Sequence, residues 1–169
     1  MPAKRTPNEI VREFYGSFEE PIHDGPPSAE AEVIPDDRLE LKHDLIIEEV
    51  CELLDASYSN VVGNIMREAW AYAKRIGALE NPKRDLVEMF DAVLDIDVVV
   101  NGLAIETNMP VVDGLAEVHR GNMSKLGEDG KPIRSDGTDG YPLNKILKGP
   151  NYVAPDLVTV LEKHGWERP

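Results

Sequence analysis

Apolar and polar positions recur with the helical period over most of the chain. In TPNEIVREFYGSFEEP, residues 6–21, Ile10, Phe14 and Phe18 fall at i, i+4 and i+8, and Thr6 or Asn8 can cap the helix they predict. Residues 21–36 hold four prolines and read as a connector. A second helix is predicted from Asp36 or Asp37 to about Tyr58, with Leu41, Leu45, Ile46, Val50, Leu53 and Leu54 as its core stripe. NVVGNIMREAWAYAKRIGAL predicts a shorter helix closed by Glu80-Asn81-Pro82, with Ile65, Ala69, Tyr72 and Ile76 at helical spacing. Pro82 then opens the most apolar segment, KRDLVEMFDAVLDIDVVVNGLAIE. Its valines would suit a buried strand, but its length without a turn signal favours a buried helix. A further helix is predicted from Pro110 through PVVDGLAEVHRGNMSKL.

Beyond Gly127 the chain is rich in Gly, Pro and Asp and reads as loop, up to PDLVTVLEKHG, a short helix with Gly165 as its stop. No internal repeat interrupts this order. The pattern predicts an all-α fold, a four-helix-bundle-like arrangement with an irregular C-terminal tail. A single domain over 1–169 is expected, with its helical core in 8–125 and the loop-rich tail in 126–169.

The chain has 169 residues, enough for one domain with a real core, and 41% of them are hydrophobic. Asp and Glu number 32 against 18 Lys and Arg, a formal charge of −14. Such a balance argues against a nucleic-acid polymer as partner, because that affinity rests on cations neutralising phosphates. A single nucleotide stays open, since a metal ion can mediate between carboxylates and phosphates. Cys51 is the sole cysteine, so no intrachain disulfide forms and a reduced, cytoplasmic setting is expected. No stretch nears the roughly 18 uninterrupted apolar residues of a membrane span, and the start lacks a signal-peptide run. A soluble protein without a membrane partner follows.

The chemistry lies in acids among apolar neighbours. In LIIEEVCELLD, residues 45–55, Glu48, Glu49 and Glu52 occupy an arc of about 100° on one helix. The long apolar helix repeats the pattern in LVEMFDAVLD, where Glu88 and Asp91 share a side and Asp95 extends the stripe. Burying such carboxylates together is costly. Either each lies at a solvated edge, or the two helices face each other and share divalent cations. Oxygen-only ligands suit Mg²⁺ or Mn²⁺ rather than zinc. Cys51, inside the first pair, reads as a small packing residue. A di-iron carboxylate site needs Glu-x-x-His on two helices, and only Glu40 to His43 supplies it.

The order EEVCE, EMFD and EVHRGNMSK resembles the all-α nucleoside triphosphate pyrophosphatase superfamily of MazG-like proteins, dimeric dUTPases and phosphoribosyl-ATP pyrophosphohydrolases. The tail DGKPIR…LKGPNYVAPDL is similar to tails in phosphoribosyl-ATP pyrophosphohydrolase-like members, and the resemblance covers roughly residues 8–158. It implies hydrolysis of an NTP to NMP and diphosphate with two or three Mg²⁺ or Mn²⁺ ions. Glu49, Glu52, Glu88 and Asp91 would hold the metal. Glu48 would bind a further ion or act as the catalytic base on water. Asn122 and Lys125 match phosphate-contacting positions, and Arg120 is either a third such contact or a surface charge. Asp95 departs from the usual apolar residue there and would serve an extra cation, the sugar or the base. His119 reads as a surface or interface histidine. Relatives imply a homodimer or homotetramer.

No linear motif spells the base. Phe14, Tyr15 and Phe18 are either stacking residues or core. The overall pattern is similar to MazG-like proteins of phages that replace adenine by 2-aminoadenine, which implies a purine deoxynucleotide such as dGTP. The alternatives are dUTP, a damaged nucleotide, or a non-catalytic metal-dependent nucleotide-binding bundle. Phosphoribosyl-ATP is disfavoured, because enzymes dedicated to it lack the 21–36 connector and the 60–80 insertion.

Overall fold

The computed structural model describes residues 5–138 and 144–168, and the stretch 139–143, expected as loop, lies outside them. Among the described residues the regular structure is helical: α1 (Pro7–Ser17), α2 (Asp36–Ser57), α3 (Asn60–Arg75), α4 (Leu86–Glu106), α5 (Val111–Met123) and α6 (Leu157–Lys163). One isolated antiparallel bridge, Arg134 to Ile146, stands outside them. The fold is the expected all-α one, and the valine-rich segment is a helix. No helix among the described residues is long and apolar enough to cross a membrane.

The chain divides into two compact units, and the boundary falls within α4 between Asp95 and Ile96. Gly25–Asp95 form one unit, built on the antiparallel pairing of α2 with α3. Polar contacts run along that seam. Asp44 accepts from Trp70 Nε1 at 2.7 Å and from Lys74 Nζ at 2.8 Å, and Lys74 also reaches Glu40 at 2.7 Å. Asp55 accepts from Arg67 Nη2 at 2.7 Å, and Arg67 Nη1 donates to Asn64 Oδ1 at 3.0 Å. Between these pairs Cys51 is fully buried opposite Gly63. A Cβ on Gly63 would come 2.2 Å from Asp55 Oδ1 and 2.8 Å from the Cys51 carbonyl, so glycine sets how closely the helices approach. The connector is anchored by Arg84, which has φ 54° and donates from Nη1 to the carbonyls of Ala29 (2.5 Å) and Ile34 (2.8 Å).

Met1–Asp24 with Ile96–Pro169 form the other unit, in which α1 and α6 both pack on α5. Thr6 caps α1 through a reciprocal box with Glu9, as the sequence anticipates. Ile10 and Phe18 are buried, and the Phe14 and Phe18 rings stack with centroids 4.4 Å apart. Phe18 is core, and the half-buried Phe14 stacks on it. His119 Nε2 meets Glu13 Oε2 at 2.9 Å and ties α5 to α1.

The expected core stripes of the middle helices differ from those observed. Leu41, Leu45, Ile46, Val50 and Leu53 on α2 are exposed, as are Ile65 and Tyr72 on α3 and Ile76 just after it. On α2 the buried residues are instead Leu39 and Cys51. The stripe facing α3 is Asp44, Cys51 and Asp55, one polar-flanked seam that leaves the apolar face outward. Helix α4 is more extreme: Val87, Phe90, Val98, Val99 and Ile105 are each more than 60% exposed.

Candidate active site

Helix α2 presents Glu48, Glu49 and Glu52, all exposed, on the arc expected from helical geometry. Helix α4 presents Glu88, Asp91 and Asp95, also exposed. Its first turn is fixed by Asp85, which accepts from the Glu88 N–H at 3.2 Å. That hydrogen bond, with Lys83 beside it, holds the Asp85 carboxyl below its ordinary range. Within each helix the acids are therefore neighbours by register.

Between the helices the picture changes. α2 pairs extensively with α3, and among the described residues no comparable pairing joins it to α4. Among the described residues, no group of three or more His, Cys, Asp or Glu side chains comes close enough to hold a metal ion. The donor set, carboxylate oxygens alone, has the chemistry for a hard divalent cation. One chain supplies these donors without gathering three of them at one point.

A cation that the sequence reading missed adjoins the first acid group. Arg67 is held by Asp55, and the Asp55 hydrogen bond, reinforced by the charge of Glu52, raises its pKa above the ordinary value. Asp55 Oδ1 is buried with no partner among the described residues. The signal was present in sequence, since Asp55 lies three residues after Glu52 on the same side of α2.

On α5 the three predicted phosphate contacts separate into two groups. Asn122 and Lys125 are joined, Lys125 Nζ donating to Asn122 Oδ1 at 2.8 Å, which presents amide and ammonium together. Arg120 is engaged elsewhere. Its Nε donates to Glu117 Oε2 at 2.9 Å, and its Nη2 donates to Glu117 Oε1 at 2.6 Å and to the Ala154 carbonyl at 2.9 Å. Glu117 accepts from the Asp156 N–H as well, at 2.7 Å. Arg120 first, and then that N–H, lower the Glu117 pKa to about 2. Arg120 therefore fastens the tail to α5, with the N–H groups of Nη1 outside these bonds.

The chain matches the family model described as phosphoribosyl-ATP pyrophosphohydrolase over residues 11–122, well over half its length. The chain belongs to that family. The matched span includes both acid groups and ends at Asn122. Membership makes this protein a hydrolase of phosphoric anhydrides, in the all-α nucleoside triphosphate pyrophosphatase superfamily that the acid pattern suggested. A crystal structure from Exiguobacterium sp. 255-15, provisionally described as an NTP pyrophosphohydrolase, is similar in fold. Its TM-score is 0.69 at 22% identity, covering 97% of this chain and 100% of that one. No curated protein matches the chain.

Proposed function

We propose that this family member is a homo-oligomeric nucleoside triphosphate diphosphohydrolase, converting a (d)NTP and water to (d)NMP and diphosphate. The observation that carries the reading is the set of carboxylates Glu48, Glu49, Glu52, Glu88 and Asp91, standing on two helices whose apolar faces are uncovered in the single chain. Five acids raised among leucines and valines gain nothing from packing and repel one another. A second copy that covers α2 and α4 would bring their acids together, so the donors become a site only in the assembly.

In that assembly Glu49, Glu52, Glu88 and Asp91 would hold Mg²⁺ or Mn²⁺, and Asp95 would serve a further ion or the sugar. When bound, the cations offset the charge on the phosphates and on the oxygens that attack and leave. Glu48 accepts the proton of the attacking water as its oxygen bonds to the α-phosphorus. The bond from that phosphorus to the bridging oxygen breaks, and diphosphate leaves. Asn122 and Lys125 orient the outer phosphates by charge-assisted hydrogen bonds. The substrate proposed first is a purine deoxynucleotide, dGTP, on the overall resemblance to MazG-like phage proteins.

The test is diphosphate release from a panel of ribo- and deoxynucleotides with Mg²⁺ or Mn²⁺. Fastest turnover of dGTP is expected. Preference for dUTP would move the substrate assignment, and absence of turnover on every nucleotide would overturn the enzymatic reading.

A further inference from the structure

The tail that follows α5 is fastened along one side of that helix at successive points. Glu117 and Arg120 take the Asp156 N–H and the Ala154 carbonyl. Gly121 packs on Pro155 so closely that a Cβ there would lie 2.7 Å from the proline ring. The Val153 N–H donates to Ser124 Oγ at 2.9 Å. At the far end the Gly149 N–H donates to the Lys125 carbonyl at 3.0 Å. A Cβ on Gly149 would meet the Leu126 carbonyl oxygen at 2.5 Å and that of Lys125 at 2.8 Å, so only glycine admits this approach.

The register that results places Lys148 one residue before the backbone bond from Gly149 to the Lys125 carbonyl. Lys148 is exposed, and its ammonium lies over the Tyr152 ring, 4.5 Å from the centroid. In a chain of net charge −14, several cations meet carboxylates: Arg67 with Asp55, Lys74 with Glu40 and Asp44, Arg84 with Asp36, Arg120 with Glu117. Among the described residues Lys148 meets none. An aromatic face orders an ammonium without neutralising it, which leaves the charge for an incoming anion.

We propose that Lys148 is a phosphate-contacting residue that, with Lys125, grips the diphosphate portion of the substrate and the diphosphate product. The inference rests on the diphosphohydrolase reading above and gives the C-terminal tail a role in it. Titration calorimetry on the full chain with magnesium diphosphate, and separately with dGMP, tests it. Lys148→Met should weaken diphosphate binding about tenfold, the scale of one charge-assisted hydrogen bond. It should leave dGMP affinity and melting temperature unchanged, and Lys148→Arg should restore diphosphate binding. Lys148→Gln provides a second neutral variant with the same expectation.

Equal diphosphate affinity in the parent and both neutral variants overturns the proposal, as does a parent that binds no diphosphate. If the parent turns over no nucleotide yet binds diphosphate in a Lys148-dependent way, the diphosphohydrolase reading falls and this inference stands.

Discussion

The apolar surface of α4 leads to a prediction about assembly. From Leu86 to Ile105 the large apolar side chains other than the half-buried Met89 are between about two-fifths and four-fifths exposed. Taken together, those fractions leave roughly 1,000 Å² of α4 side-chain surface in water, against about 800 Å² per partner in a standard interface. At about 25 cal/mol per Å² that area is far too costly to leave open, and covering it with a second copy is the expected outcome.

Val98 and Val99, each 66% exposed, are adjacent and about 100° apart around the helix, so a contact over most of its circumference includes at least one. Placing Asp at both removes about 2 kcal/mol of burial per covered valine and strands a carboxylate in an apolar contact, several kcal/mol more. Symmetry doubles the effect. The dissociation constant of the assembly should rise by at least about a thousandfold, equivalent to about 4 kcal/mol. Sedimentation equilibrium at micromolar protein should show an oligomeric parent and a monomeric Val98→Asp/Val99→Asp variant that keeps its helical circular dichroism. Nucleotide turnover should be lost with the oligomer. A monomeric parent, or a variant that sediments as the parent does, refutes the reasoning.

Glu48→Gln should lower turnover by about a hundredfold or more, the scale of losing a positioned base or ligand, while the melting temperature without metal stays equal or rises; stopped assays and calorimetric melting decide both. Glu117 has a folded pKa of about 2 against an ordinary 4.5, so its support of the tail is complete above pH 4.5 and is lost as the pH falls from there towards 2. Proteolytic nicking after residue 144 should accelerate across that window in the parent, and a Glu117→Gln variant should be nicked readily at neutral pH. Gly149→Ala forces a methyl group against two backbone oxygens and forfeits the bond to Lys125, a cost of about 2–4 kcal/mol that the tail escapes by detaching. Hydrogen exchange should show lost protection in residues 145–155 with α1 and α5 unchanged, and unchanged protection in the tail would contradict the contact.

Helical periodicity sufficed to place every helix, because capping, proline and length are local signals. Thr6 at α1 acts within a turn of where it stands. The core was less legible. Periodicity marks Leu41, Leu45 and Val50 as wanting cover, but it does not distinguish cover by α3 from cover by another molecule. Asp44 and Asp55 held the seam instead, through partners 30 and 12 residues away. The acids Glu48, Glu49, Glu52, Glu88 and Asp91 stand out in the sequence because carboxylates set among leucines and valines ask for an explanation; the structure finds all five exposed, and their role as ligands is the proposal made above. Arg67 and Lys148 escaped notice because each gains its meaning from a contact: Asp55 for the first, and the docking of Gly149 on Lys125 for the second.

The close approach of α2 and α3 equips the molecule with its own clock. Cys51 is the one thiol in the chain, wholly enclosed at the point where Gly63 lets the helices touch. A thiol reagent can reach it only while that pair is apart. The ratio of its labelling rate to that of an unhindered thiol measures how often the hairpin opens, with no residue altered and no probe attached beforehand. Since Glu48, Glu49 and Glu52 flank Cys51 on the same helix, any ion or nucleotide that binds them would slow the labelling, and the slowing would read out occupancy in a protein that turns nothing over.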